Sequence, residues 1–444
     1  MIMKPGLLPV HLEDVPSETF VRQLGKLKEL TSELVDWLEP AHIDRPVPAG
    51  TSAVVVPDLS GLAYRMVDSF RRIDVPILLL STEFGSVLMW DWEIRDHLRR
   101  KGVATIAPTS LTECEDVCRT LATQKTLRHS SMLAYQDDLG AGMQPDIFKR
   151  FYWWEDECVL DLQKAFGVRV ERRSFHDLAA RAAAVPDARV EAAWDRLSAR
   201  TPIVGLAPRG RADALRLYVA LGDELDETGD VIAAGINCLN ESTTSPTTPC
   251  LAWNLLFEER GLMWGCEADL TSMITKTLVH KSLKAPVMMT NLYPYLMGQA
   301  ALAHERIPFF PPVDEEPENH VLVAHCGFLG VVPQSFATEW TLRPRVLEIV
   351  DPSANVIDAR LAEGATTIVK IAGDMKTLVV APSVLTGYHQ FTNSDCLNGA
   401  VLRVEDGYRF VENLPSHHAI LATGDLVRRL EVMSSVLGLD VLKI

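Results

Sequence analysis

A change of period divides the chain. Up to the stretch FFPPVDEEPENH (309–320), short apolar runs alternate with segments of helical periodicity; beyond it, strand-like runs follow one another. In the first part, AVVVPDL (53–59), VPILLLS (75–81), VATIAPT (103–109) and MLAYQD (132–137) read as strands. Between and after them LAYRMVDSFRRI, VLMWDWEIRDHLRRK, LTECEDVCRTLATQKTLRH and FKRFYWWEDECVLDLQKAFG read as helices. Such alternation implies right-handed βαβ units on a parallel sheet, and nearly continuous apolar strands imply burial on both faces. A second α/β stretch follows, with helices at 174–185, 188–200, 211–229 and 251–261, a strand at VIAAGINC (231–238) and a helix from Asp269 to Lys284. After the linker, HVLVAHCGF, RVLEIVD, ATTIVKIAG, KTLVVAPSV, GAVLRVED and HAILATG predict an antiparallel barrel or sandwich, closed by a helix at 426–438 and a strand at 440–444. The expected fold is α/β: two Rossmann-like parallel-sheet domains (1–170 and 171–316) followed by a β-rich, barrel-like domain (317–444).

A chain of 444 residues exceeds one core, and about 150 residues per unit suggests three domains. The net charge of -16 argues against nucleic acid and against an anionic membrane surface. MIMKPGLLPVHLED lacks the pattern of a signal peptide, and no apolar run approaches the ~18 residues needed to span a bilayer. The eight cysteines show no CxxC spacing and read as free thiols of a reducing compartment. A soluble cytoplasmic protein is expected.

Several chemistries have no motif here. There is no GxxxxGK[ST] loop, no GxGxxG after the first strand, no GxSxG elbow and no HExxH helix, so no nucleotide cofactor is expected. What remains is a set of acids and histidines between Glu241 and His418. Glu241 closes the strand in GINCLNES. Glu267 and Asp269 stand two apart in GCEADLTSM. His325 lies in LVAHCGF, and His417 and His418 enter an apolar strand in LPSHHAIL. Mixed carboxylate and imidazole donors suit Mn²⁺, Mg²⁺, Co²⁺ or Zn²⁺. Each residue also has a plain structural role open to it. Asp269 opens a helix and suits an N-cap. A lone His325 suits a satisfied core position, and Glu241 a solvated strand end. Glu267 follows apolar WGC, where an unpaired buried carboxylate is costly. Neighbours on a strand point to opposite faces, so only one of His417 and His418 can serve a given site.

Taken together, these segments resemble the L-arabinose isomerase/L-fucose isomerase family. GCEADLTSM resembles the family's Gly-x-Glu-x-Asp segment, NCLNES the preceding segment with the other catalytic carboxylate, VAHCG the segment of a metal-binding histidine, and SHHAILATG the C-terminal histidine segment. The order of two α/β domains and a β-rich domain is similar too. ESTTSPTTP departs from the family's usual run after the first Glu, and the chain is shorter than either named member. The resemblance implies a metal-dependent aldose–ketose isomerase acting through a cis-enediol. Glu241 and Glu267 would move protons and bind the ion with His325 and His418, and Asp269 is the alternative ligand. Mn²⁺ is the ion expected first, with Co²⁺ or Mg²⁺ as alternatives. The implied partners are a small sugar, a modified or acidic one included, and further copies of the chain in a homo-oligomer, a hexamer by default.

Aromatic residues could stack on a sugar. Trp90 and Trp153 are the candidates, in WDWEI (with Trp92) and in the run Phe151, Tyr152, Trp153, Trp154; a helix–helix or subunit contact is the commoner use of such a run. Lys149 and Arg150 could meet an anionic substituent, or simply form a solvated helix face. Two other functions compete: a sugar-binding protein without catalysis, and a related metal-dependent epimerase or aldolase.

Overall fold

In the computed structural model, residues 3–84, 88–137, 147–151, 154–237, 244–305, 309–324, 333–344, 355–390 and 398–444 are described. The chain divides into two compact units. The first comprises Met1–Arg128, Lys281–Leu283 and Arg428–Asp440; the second comprises His129–His280, Lys284–Val427 and Val441–Ile444.

The first unit is built on a parallel sheet. Its strands are β1 (Gly6–His11), β2 (Asp36–Trp37), β3 (Ala41–His42), β4 (Thr51–Val56) and β5 (Ile77–Leu79), ordered β2-β1-β4-β5 with β3 also on β1. Strand residues alternate between two cores, as a period of two requires. Leu8, Val10, Val54, Val56, Ile77 and Leu79 pack on one face with Phe70, Ile94 and Leu98. Leu7, Ala53, Val55, Leu78 and Leu80 pack on the other with Leu27, Val117 and Leu121. The sheet is thus covered on both sides. VATIAPT forms a single parallel bridge, Leu78↔Ile106, in place of the expected strand.

The second unit combines a parallel sheet with a closed barrel. Strands β6 (Ser131–Tyr135), β7 (Arg169–Arg173), β8 (Val231–Ile236) and β9 (Met263–Cys266) run parallel in the order β7-β6-β8-β9. The later strands are β10 (Val287–Pro294), β11 (His320–Ala324), β12 (Ala337–Pro344), β13 (Asn355–Leu361), β14 (Gly364–Ile371), β15 (Thr377–Gln390), β16 (Asn398–Val404), β17 (His418–Thr423) and β18 (Asp440–Lys443). The ring β14-β17-β10-β11-β16-β15 is antiparallel throughout, and the β14–β15 pairing closes it into a six-stranded barrel; β18 adds to β15, and β12 and β13 form a separate hairpin. Closure removes sheet edges. The barrel takes its first strand, β10, from before the proline-rich linker, and residue 170 falls inside β7 of the second unit.

The single helix expected over 148–167 is two pieces, Phe148–Phe151 and Asp156–Phe166. RVLEIVD lies outside the described residues. Among the described residues no helix is long and apolar enough to cross a membrane.

Candidate functional site

The carboxyl end of β9 turns abruptly into the helix Leu270–Leu283. Glu267 (φ 53°) and Ala268 (φ 51°) both adopt the left-handed region, which costs an L-residue roughly 1–2 kcal/mol each. Several contacts hold this turn. Asp269 N–H donates to Cys266 O at 3.0 Å. Trp154, sealed from solvent, donates from Nε1 to Ala268 O at 3.0 Å. Gly235 on β8 and Gly265 on β9 allow close approach. A Cβ on Gly235 would stand 2.8 Å from Gly265 O and 2.9 Å from Ala268 Cα, and one on Gly265 would overlap the Met273 side chain. Left-handed non-glycine residues fixed this firmly cluster at functional sites.

Asp269 caps the helix, as its position in the sequence predicts. Oδ1 accepts from Ser272 N–H at 2.8 Å and from Thr271 Oγ1 at 2.7 Å. Oδ2 accepts from Ser272 Oγ at 2.8 Å, Lys370 Nζ at 3.1 Å and His418 Nδ1 at 3.1 Å. Burial pushes this carboxyl upward, but the Lys370 ammonium, His418 and the Ser272 amide outweigh it and hold it far below the usual carboxylate range. Asp269 is therefore a permanent anion with its oxygens already occupied.

That anion fixes His418. An ionised carboxylate only accepts, so Nδ1 carries a proton, and Nε2 is the ring nitrogen turned toward Glu267. Nε2 stands 3.9 Å from Glu267 Oε1, and both side chains are buried. A carboxylate behind the far nitrogen of an imidazole is the arrangement that orients metal-binding histidines. The barrel supplies both basic partners. Lys370 lies on β14 and His418 on β17, and these strands pair with Val369 opposite Ile420. Asn237 stands just past the end of β8, and the register Ile236↔Cys266 sets its backbone level with that of Glu267 at the carboxyl edge of the sheet. Asn237 is fully buried, and neither its Oδ1 nor its Nδ2 has a partner among the described residues.

Of the residues singled out from sequence, Glu267, Asp269 and His418 come together. His417 precedes β17, with its ring centroid 4.5 Å from that of His418, and lines a cavity of about 270 Å³ with Leu292, Pro294, Met297, Phe410 and Ser416. Trp90 belongs to the first unit, where it is half exposed. Glu241, His325 and Trp153 lie outside the described residues. Among the described residues no three His, Cys, Asp or Glu side chains form a group able to hold a metal ion. Glu267 and His418 offer two donors of suitable chemistry, whereas Asp269 is committed to its cap and to Lys370. Sequence reasoning missed Lys370 and Asn237, and named Trp154 only within its aromatic run. Only Lys370 left a signal, a cation in the middle of the apolar strand ATTIVKIAG.

No family model matches the chain, and no curated protein matches it.

Proposed function

We propose that the protein is a metal-dependent aldose–ketose isomerase. The observation that carries this reading is the buried pair Glu267–His418, 3.9 Å apart, with His418 oriented by the Asp269 carboxylate. Interconverting an aldose and a ketose moves a proton between C1 and C2 and passes through a cis-enediol. The step needs a base in reach of carbon and stabilisation of developing charge on oxygen. Glu267 is the proton carrier in this proposal. Its position in a water-poor turn favours proton exchange with a bound sugar over exchange with solvent. Asn237 can both donate to and accept from sugar hydroxyls, which fixes the carbon chain relative to Glu267. A divalent ion held by Glu267 and His418, and by Glu241 and His325 as the resemblance implies, would supply Lewis-acid polarisation of the adjacent sugar oxygens.

The test is proton NMR in D₂O with Mn²⁺-treated protein and a panel of aldoses and ketoses, deoxy and acidic sugars included. Deuterium entry at C1 or C2, with conversion to the partner sugar, is the expected result. EDTA is expected to abolish it, and Glu267→Gln to lower it by about 10²–10⁴-fold. The commitment of Asp269 to Lys370 favours a second reading, a sugar-binding lobe without a metal. Binding of a sugar with no exchange, unchanged by EDTA, would establish that reading and end the isomerase proposal.

A further inference from the structure

The second unit carries a groove on its barrel whose lining shares no residue with the cluster around Glu267. It measures about 620 Å³ and is lined by residues 311–316 of the proline-rich linker, by 386–389 of β15, by Val401 and Arg403 of β16 and by His320 at the start of β11. A space of that size holds a small organic molecule rather than a single ion. The linker is pinned to the barrel at several points. Tyr295 Oη donates to Pro311 O at 2.8 Å, the Phe310 ring stacks on Tyr295 at 4.3 Å between centroids, and His320 Nδ1 donates to Glu316 O at 2.8 Å. The backbone that carries the acids of the groove is therefore in place before a ligand arrives, which lowers the ordering cost of binding.

The lining has more acid than base. It presents Asp314, Glu315 and Glu316 against one permanent cation, Arg403. Arg403 lies 3.9 Å from Glu316, whose Oε2 also accepts from Asn319 Nδ2 at 3.2 Å. Asp314 and Glu315 have no ion-pair or hydrogen-bond partner among the described residues. Arg360 stands 5.7 Å from the centroid of the Tyr388 ring, but it pairs with Glu339 at 3.6 Å and brings no surplus. Three acids less one arginine leave two carboxylates unmatched, in a chain whose net charge of -16 adds to their field.

His320 is a second, separate sign. It is 5% exposed and lines the groove. A carbonyl only accepts, so its Nδ1 is the donor to Glu316 O, and Nε2 has no partner among the described residues. Buried ring nitrogens are normally hydrogen-bonded, and the ammonium of a guest supplies a donor. The carboxylates do not converge: among the described residues no three His, Cys, Asp or Glu side chains form a group able to hold a metal ion. Separated carboxylates suit a ligand whose positive charges are separated along an apolar chain. Pro312, Val313 and Val401 offer apolar contact to such a chain, and the Tyr388 ring adds an aromatic surface that attracts cations. An anion would be repelled here, and a neutral molecule gains nothing from the surplus carboxylates.

We propose that this groove binds a small organic polycation, a diamine or polyamine, with its ammonium groups on Asp314, Glu315 and His320. The proposal does not depend on the isomerase reading. The test is calorimetry on the full chain at pH 8 and 0.1 M salt with four probes: spermidine, 1,4-diaminobutane, its neutral counterpart 1,4-butanediol, and Mg²⁺. Saturable binding of one spermidine per chain is expected, at least tenfold tighter than Mg²⁺, with weaker binding of the diamine and none of the diol. The double variant Asp314→Asn/Glu315→Gln is expected to weaken spermidine at least tenfold at an unchanged melting temperature, since both side chains are exposed. Glu33→Gln/Glu39→Gln, which removes two exposed acids of the first unit, is the control and should bind as wild type does. The proton NMR signal of the His320 ring, identified by its loss in His320→Gln, should move as spermidine is added. Four results would each overturn the proposal: no saturable binding of spermidine, Mg²⁺ binding as tightly as spermidine, equal binding by wild type and the groove variant, or a His320 signal that stays in place at saturation.

Discussion

Lys370 Nζ lies 3.1 Å from Asp269 Oδ2, and both side chains are sealed from water. One comes from near the end of barrel strand β14 and the other from a helix cap, so this ion pair ties the barrel to the turn that presents Glu267. Removing one member of a buried pair strands the other charge, at about 3–5 kcal/mol. Lys370→Met is therefore expected to destabilise by that amount. The double variant Lys370→Met/Asp269→Asn is expected to lose less than the two single losses combined. Urea denaturation of the four proteins gives the coupling directly; additive losses would show that the pair does not act as a unit.

The same carboxylate sets an acid limit. Its folded-state affinity for protons is depressed relative to the unfolded chain, whose aspartates titrate near about 3.9. The stabilisation from Asp269 is then complete above that value and is lost progressively as pH falls below it. Wild-type stability relative to Asp269→Asn should stay constant from about pH 7 to pH 5 and shrink below about pH 4. A difference that is flat down to pH 2 would contradict this linkage.

Lys276 presents the opposite case. It is fully buried, its Nζ has no hydrogen-bond partner among the described residues, and it sits 3.2 Å from the centroid of the Trp264 ring. Burial drives its proton affinity well down. The unfolded lysine, titrating near about 10.4, then binds more protons than the folded one, so stability rises as pH climbs toward that value. Lys276→Met fills similar volume without a charge and is expected to stabilise by about 1–4 kcal/mol at neutral pH. That gain should fade as pH approaches about 10. A less stable Lys276→Met protein would mean that the contact with Trp264 outweighs desolvation.

Gly265 is needed for a steric reason. Any side chain there meets Met273 on the following helix. Gly265→Ala is expected to destabilise by about 1–3 kcal/mol through overpacking. Adding Met273→Ala should recover part of the loss, because it empties the space the new methyl needs. Thermal melts of the single and double variants measure the recovery, and its absence would place the strain elsewhere.

Much of the architecture is written in local periodicity. Residues 53–56 and 77–80 alternate between the two cores of the first sheet, and an alternation of this kind needs no tertiary information. What escaped the sequence depends on long-range pairing. β1 carries Pro9, which normally demotes a strand, yet it pairs with strands on both sides. β10 reads VMMTNLYP, a run without clear alternation, and becomes a strand because β11 and β17 flank it. In the site, the cap at Asp269 is local chemistry and was legible. The Lys370 contact spans 101 positions of chain and was not. Trp154 reads with its aromatic neighbours as a helix–helix or subunit contact, with sugar stacking as the alternative; its buried hydrogen bond to Ala268 depends on a turn 114 positions away.

The left-handed backbone of Glu267 makes a prediction that separates stability from function. A glycine adopts φ near 53° without the steric penalty that a Cβ brings. Glu267→Gly should therefore be more stable than Glu267→Ala by roughly 1–2 kcal/mol. It also removes the buried carboxylate and its contacts, so its stability relative to the wild type shows whether those contacts outweigh the strain. Under the isomerase proposal both variants lose deuterium exchange into sugar, because neither carries a proton acceptor at this position. A more stable yet inactive Glu267→Gly protein would mark the turn as strained for the sake of the carboxylate it presents. If Glu267→Gly is instead less stable than Glu267→Ala, the strain argument fails, and the turn is held by its glutamate.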